Sequence, residues 1–183
     1  MVTKTPKDLA AADLLNRANH TGTQPMNSVT GLEAALSTVL GAKGFRAHKN
    51  AVNQSIASGA GNVKVTYTTE VYDEGGVYDA PNSRMILTEP GLVHLRAAAY
   101  ISSGAVGETY VLYIVKNGVT ASPVAAKIHR PPGAVGVMLD MSVDDKGIAG
   151  DYYEVYVNLG AMAQARDVFG PIGHSFFMGH MIH

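Results

Sequence analysis

The chain has 183 residues, of which 46% are hydrophobic and 16% charged, with a net charge of −1 and a mean hydropathy of +0.06. It has no basic cluster, no cysteine and no run of about 18 apolar residues, which argues against a nucleic-acid partner, thiol chemistry and a transmembrane helix. Because so few charges accompany so much apolar surface, we expect part of that surface to lie in a subunit interface. Residues 1–6 lack an apolar segment, so no secretory signal is predicted.

Residues 1–43 are predicted to form a helical N-terminal arm. Residues 6–18 give only a weak apolar stripe, so that helix would be marginal alone. Residues 28–40 predict a better helix, with Ser28 as its N-cap and Gly41 after its end. Its apolar residues follow the spacing of a coiled-coil seam and are Val29, Leu32, Leu36 and Val39. Two interpretations stay open: a short bundle on a symmetry axis, or a helix packed on its own domain.

The rest of the chain has the pattern of β-strands. Residues 63–68 alternate between apolar and polar, which predicts a half-buried strand. Residues 110–115 and much of residues 92–101 are apolar on both faces, which is unusual in an antiparallel sheet with one side in water. Their second face must be covered inside the subunit or by another subunit, and we favour the second. Asn117 and Gly118 would supply the two positive-φ residues of a tight hairpin.

Further short strands are predicted between glycine- and proline-rich segments. Pro123 makes residues 119–130 an edge strand or a broken strand. Residues 135–143 alternate cleanly and precede a predicted turn at residues 144–147, and residues 174–182 predict the last strand. About eight strands, with a turn signal roughly every ten residues, are typical of a β-sandwich or jelly roll.

Two parts of the sequence resemble known families. Residues 16–25 (NRANHTGTQP), together with residues 29–33 (VTGLE), resemble a segment that recurs in bacteriophage tail fibres and related virion proteins. Residues 44–183 resemble the trimeric jelly roll of the complement and tumour-necrosis-factor-like superfamily, over about three quarters of the chain. The residues that carry this second resemblance are Phe45 and Ala47, residues 70–79 (EVYDEGGVYD), residues 90–93 (PGLV), Tyr113, residues 116–118 (KNG), residues 150–152 (GDY), Phe176, Gly179, Met181 and Ile182.

These resemblances imply a mainly β protein. They imply an antiparallel jelly-roll sandwich over residues 44–183, preceded by the short helical arm and assembled as a homotrimer. They also imply a bacteriophage virion structural protein at the virion surface, a trimeric fibre or spike that binds other virion proteins through residues 1–43. The expected task is adhesion to a host-surface glycan. The sequence departs from long phage fibres in lacking their extended shaft.

Three alternatives to an adhesion fibre keep part of this interpretation. The first is a head or collar decoration protein without receptor binding, and the second is a cellular adhesion or signalling domain. The third is a glycan-cleaving enzyme, which would need a carboxylate pair about 5–10 Å apart. The sequence singles out no such pair. We predict no enzymatic activity and no cofactor, because Gly173-His174-Ser175 does not continue into a nucleophile elbow and no zinc-protease motif or P-loop is present.

Two groups of residues have side chains that can bind metal ions, but the sequence predicts a metal site at neither. His174 and His180 would share one face of the last strand, with His183 on the other, so that symmetry copies could form a ring of imidazoles. Carboxylates at Asp140, Asp144, Asp145 and Asp151 could hold calcium. Ordinary histidines and a solvated acidic turn explain the same residues.

Receptor contacts are predicted at the acidic turn and a neighbouring tyrosine. The residues are Asp144, Asp145, Lys146 and Tyr152. Aromatic rings can stack on sugars, although packing between sheets or between subunits is the favoured role for tyrosines as a class.

Overall fold

The computed structural model describes residues 41, 43–171 and 173–182. Residues 42–183 form one compact unit. The predicted helices, including the seam of Val29, Leu32, Leu36 and Val39, lie outside the described residues. The strands are β1 (Gly44–His48), β2 (Gln54–Ile56), β3 (Val63–Lys64), β4 (Thr69–Glu74), β5 (Tyr78–Asp79), β6 (Arg84–Ile86), β7 (Gly91–Ile101), β8 (Tyr110–Lys116), β9 (Ala125–His129), β10 (Val137–Gly147), β11 (Tyr152–Asn158), β12 (Arg166–Val168) and β13 (Phe176–Ile182). A 3₁₀ turn (Ala80–Asn82) lies between β5 and β6. No helix in this part of the chain is long and apolar enough to cross a membrane.

The strands form two antiparallel sheets. In sheet I the order is β4-β1-β13-β7-β10, and β12 and β2 continue beside the far end of β7. In sheet II the order is β5-β6-β11-β8-β9, with β3 also paired to β11. Two antiparallel sheets that face each other across a shared core make a jelly-roll sandwich. The predicted fold class is therefore confirmed.

The core lies between the two sheets and is built by alternation along the strands. Every second residue of β7 points inward, from Val93 to Ile101, and each of these side chains is fully buried. Phe45 stacks on Tyr78 with ring centroids 4.4 Å apart, and the edge of Phe177 packs against Phe45 at 4.9 Å. The buried hydroxyl of Tyr67 donates to the carbonyl of Ala98 at 3.0 Å, so burying that ring leaves no unpaired donor.

The predicted turn at residues 144–147 is wrong, because these residues belong to β10. This strand pairs with β7 along its whole length, ending with Gly147 opposite Gly91. The acidic residues lie in the strand because His94 contacts Asp144, and Lys116 and Tyr153 donate hydrogen bonds to Asp145. The chain reverses instead after Ile148, where the carboxylate of Asp151 accepts a hydrogen bond from the Ile148 amide at 3.0 Å and Gly150 has φ +91°.

The connection after β8 partly follows the prediction. Asn117 and Gly118 both have positive φ, at 52° and 72°. The hairpin is nevertheless not tight, because β9 begins only at Ala125, opposite Ile114. Strand β9 follows Pro123 and forms an edge of sheet II, as predicted for a proline-containing segment.

The second face of β8 is covered in part by the single chain. Val115 is completely buried, and Val111 and Tyr113 are half-buried. That another subunit covers the remaining surface of this strand stays a prediction. The corresponding face of β7 is more open and forms part of the candidate site.

Candidate functional site

The candidate site is the surface of sheet I that points away from the core, which we call the outer face. Because side chains alternate along a strand, the residues between the buried ones share this surface. It includes Arg46 and His48 from β1, Leu92, His94, Arg96 and Tyr100 from β7, Met138, Asp140 and Asp144 from β10, and Phe176, Met178, His180 and Ile182 from β13.

Two arginines surround an aromatic ring at the centre of the outer face. The guanidinium carbons of Arg46 and Arg96 lie 5.6 and 5.3 Å from the ring centre of Phe176. Arg96 also donates two hydrogen bonds to Asp140, from Nε at 3.1 Å and from Nη2 at 2.6 Å. The Nε of Arg46 is buried and has no hydrogen-bond partner among the described residues. An unpaired buried donor costs about 1–3 kcal/mol, so this group marks an incomplete surface.

A row of polar residues crosses four strands beside the arginines. Gly44, His180, His94 and Asp144 lie opposite one another in the register of β1, β13, β7 and β10. The Nδ1 of His94 lies 2.6 Å from Oδ1 of Asp144, and the rings of His94 and His180 are 5.3 Å apart. A Cβ on Gly44 would lie 3.0 Å from the Gly179 carbonyl oxygen, so a larger residue would crowd this row.

Exposed apolar side chains surround the polar centre. Leu92 is 40% exposed and Ile182 is 38% exposed, and they lie directly opposite each other on β7 and β13. Met138 is 45% exposed, and Tyr72 on the neighbouring β4 is 43% exposed. Apolar, aromatic and arginine side chains in this arrangement are typical of a protein–protein interface.

The predicted receptor residues do not form one cluster. Asp144 belongs to the outer face, whereas Asp145 points the other way and accepts hydrogen bonds from Tyr153 at 2.7 Å and Lys116 at 3.2 Å. Tyr152 lies beneath the guanidinium of Arg84, at 4.8 Å. Lys146 is exposed. Their predicted contact with a receptor stays a prediction.

The two metal hypotheses find no support in the geometry. His174 precedes β13 and packs against Tyr100 and Phe169, with ring centroids 5.5 and 5.3 Å apart, so it does not share a strand face with His180. His183 lies outside the described residues. Over residues 43–171 and 173–182, no group of three or more histidines or carboxylates is placed to hold a metal ion.

Each of the four aspartates of the calcium hypothesis is bound to protein groups. Asp140 pairs with Arg96, and Asp144 with His94. Asp151 accepts hydrogen bonds from Asn117 at 2.8 Å and from the Ile148 amide at 3.0 Å, and Lys116 lies 3.1 Å away. These bonds, led by that from Asn117, lower the pKa of Asp151 to about 2.

A cavity beside the connection between two strands is a second candidate feature, and the sequence does not predict it. The cavity, of about 340 Å³, lies beside the connection between β1 and β2, and Lys49 is one of its lining residues. Only 4% of Lys49 is exposed. Nothing in the local sequence distinguishes Lys49 from a surface lysine, because its burial depends on contacts with distant segments.

Solved structures of similar fold confirm the architecture. No protein-family model matches this chain, and no curated protein matches it in sequence. Murine APRIL superposes with a TM-score of 0.59 at 12% identity, covering 77% of this chain and 99% of that chain. The globular domain of zebrafish complement 1qA gives 0.55 at 14% identity, covering 78% and 98%. Eiger, a TNF from S. frugiperda, gives 0.54 at 11% identity, covering 78% and 94%. The chain therefore has a jelly roll of the TNF and complement 1q kind; at these identities the likeness shows the fold alone.

Proposed function

We propose that this protein is a homotrimeric structural protein of a bacteriophage virion that adheres to a glycan on the host surface. The observation that best supports the trimer is the outer face, with its exposed apolar residues. The resemblance of residues 16–25 and 29–33 to phage fibre segments supports the virion, and residues 1–43 would bind other virion proteins.

Self-association would complete the outer face. A second copy would cover the apolar pair of Leu92 and Ile182, which are 40% and 38% exposed in the single chain. Aromatic residues, methionine and arginine are enriched in interface cores, and Phe176, Met178, Arg46 and Arg96 supply all three types here.

Adhesion would follow from the trimer by multivalency. Three weak sites held on one particle bind a surface far more tightly than one site, because later binding events occur at high effective concentration. A virion with many such trimers would multiply the effect, so no single glycan site needs to be strong.

The test is whether purified protein binds host cells and competes with infection. We expect fluorescent full-length protein to label susceptible cells and to reduce adsorption of the phage. Gold-labelled antibody against the chain should appear at the virion surface in electron micrographs. Surface labelling without cell binding or competition would contradict the adhesion role and favour the decoration protein. Absence from the particle would contradict the virion role itself.

A further inference from the structure

Lys49 is a buried cation without a counterion. Its Nζ lies 3.3 Å from Oε1 of Gln54, and 3.3 and 3.4 Å from the carbonyl oxygen and hydroxyl of Thr66. No carboxylate of the described residues lies within 4.0 Å of it. A buried charge is normally paired, because removing it from water is costly. All three N–H donors of its Nζ are used by neutral oxygens, at distances that are long for a charged hydrogen bond, and no carboxylate compensates that cost.

The cavity beside Lys49 is lined by polar and apolar groups, and hydrogen bonds hold Gln54 in its wall. Gln54 Oε1 accepts from the amide and hydroxyl of Thr66, at 3.0 and 3.2 Å, and Gln54 Nε2 donates to the Lys64 carbonyl at 2.7 Å. The lining residues are Lys49, Asn50, Val52, Asn53, Gln54, Thr66 and Thr68. A ligand would therefore meet hydrogen-bonding groups that are already oriented.

The loop that forms one wall is held in an unfavourable conformation. Ala51 has φ +56°, in the left-handed region that costs a non-glycine residue about 1 kcal/mol or more. Contacts with the β12–β13 connection hold this loop: Asn53 accepts from the Gly170 amide at 2.9 Å, and a Cβ on Gly170 would lie 2.4 Å from the Val52 backbone. Strain that is maintained by distant contacts is a feature of binding sites.

We propose that this cavity binds the carboxylate of an acidic sugar, with Lys49 as its counterion. The carboxylate would replace one of the three long contacts of Nζ with a short charge-assisted hydrogen bond. Asn50 and Thr68 offer polar groups for sugar hydroxyls, and Val52, which is 69% exposed, offers an apolar edge for the ring. A single lysine and no arginine line the cavity, which matches one negative charge better than a phosphate dianion. Burial also lowers the pKa of Lys49, and a bound anion would oppose that shift.

This inference names a receptor class for the proposed adhesion and rests on that proposal for its biological role. It is tested with free sugars, so the two can fail separately. A protein that binds acidic sugar but no host cell would retain the site and lose the adhesion role.

The experiment titrates full-length protein with glucuronate, glucose and sulfate in turn. NMR saturation transfer detects binding, and calorimetry measures the affinity of each ligand. Glucuronate and glucose share a ring and differ in the carboxylate. We expect glucuronate to bind at least about tenfold more tightly than glucose, as one charged hydrogen bond allows. Glucose binding equal to glucuronate, no glucuronate binding, or sulfate binding as tight as glucuronate would each overturn the proposal.

Variants locate the site. Lys49→Met should reduce glucuronate affinity by at least about tenfold, whereas Lys127→Met, at an exposed position on β9, should leave it unchanged. The melting temperature of Lys49→Met should stay the same or rise, because an unpaired buried charge is removed. Loss of binding together with a lower melting temperature would assign Lys49 a structural role and contradict the proposal.

The double variant Asn50→Ala/Thr68→Ala keeps the lysine and should also weaken glucuronate binding. Unchanged affinity would place the sugar elsewhere and contradict the proposal.

Discussion

The outward-facing surfaces of the two sheets differ in how far the single chain satisfies them. On sheet II the carboxylate of Glu154 accepts hydrogen bonds from Lys64 and from the hydroxyl of Tyr156, both at 3.1 Å. On sheet I the buried Nε of Arg46 has no partner among the described residues. An unpaired buried donor is rare in a native protein, so the two surfaces differ in how far their polar groups are satisfied.

The apolar residues show the same difference. Among the described strands of sheet II, the one large hydrophobic residue that is strongly exposed is Ile128, on the edge strand β9. On the strands of sheet I the corresponding residues are Val71, Tyr72, Leu92, Met138 and Ile182. Two sheets of one sandwich can therefore have different roles: we infer that sheet II faces solvent and sheet I faces a copy of the chain.

The largest expected effect is loss of assembly when a charge is placed on the outer face. Leu92→Glu should convert the trimer to monomer, because three carboxylates would be buried in an apolar contact. Light scattering measures the change as a fall to one third of the mass. The control is Val106→Glu, at a loop residue that is 77% exposed, which should leave the mass unchanged. A Leu92→Glu protein that remains trimeric would contradict the assignment of this face.

The next effect separates folding of the subunit from assembly. Glu108 and Arg166 form a buried ion pair at 2.8 Å. The hydrogen bonds that Glu108 accepts, above all the one from Arg166, lower the pKa of Glu108 below its usual 4.5. A carboxyl with a lowered pKa stabilises the fold above its usual pKa, and this contribution is lost as pH falls through the folded value. Arg166→Met should cost about 3–5 kcal/mol at pH 7, since it leaves a buried carboxylate unpaired.

The measurement is urea denaturation from pH 7 to pH 3. Wild-type stability should fall between pH 5 and pH 3, and the loss should be smaller in Glu108→Gln. If the free energy of unfolding changes with pH equally in wild type and in Glu108→Gln, the ion pair of Glu108 and Arg166 does not supply the pH-dependent stability.

The smallest effect tests the finished surface of sheet II. Glu154→Gln should reduce the free energy of unfolding by about 1 kcal/mol, because it weakens a charged contact with the half-exposed Lys64. The mass should remain that of the trimer. Dissociation of this variant would mean that sheet II also contributes to the interface, and would contradict the inference that only sheet I faces a copy of the chain.

The sequence predicts the sandwich better than it predicts the sites. Strict alternation at residues 135–143 and the positive-φ pair of Asn117 and Gly118 are local signals. The pair is present in the structure, and the alternating strand is present from Val137 onward. The predicted turn at residues 144–147 failed because aspartate and glycine favour turns only when no partner strand is available. Here β7 pairs with the whole segment.

The sites depend on contacts between residues that are distant in sequence. Lys49 becomes a buried cation because Gln54 and Thr66 surround it, and the unpaired donor of Arg46 is visible only once β1 and β13 are neighbours. His174 illustrates the same limit, since it lies outside β13 and packs on Tyr100 instead of joining His180. No periodicity or motif reports such neighbours.

The most direct test is the absolute mass in solution, by light scattering, of the full-length chain and of residues 44–183. The full-length subunit has a mass of 19.2 kDa, and we expect each form to have three times the mass of its own subunit, because the outer face belongs to the jelly roll. A trimer at full length alone would transfer the assembly role to the predicted seam at Val29, Leu32, Leu36 and Val39. A monomer in both would contradict the trimer and, with it, the multivalent adhesion.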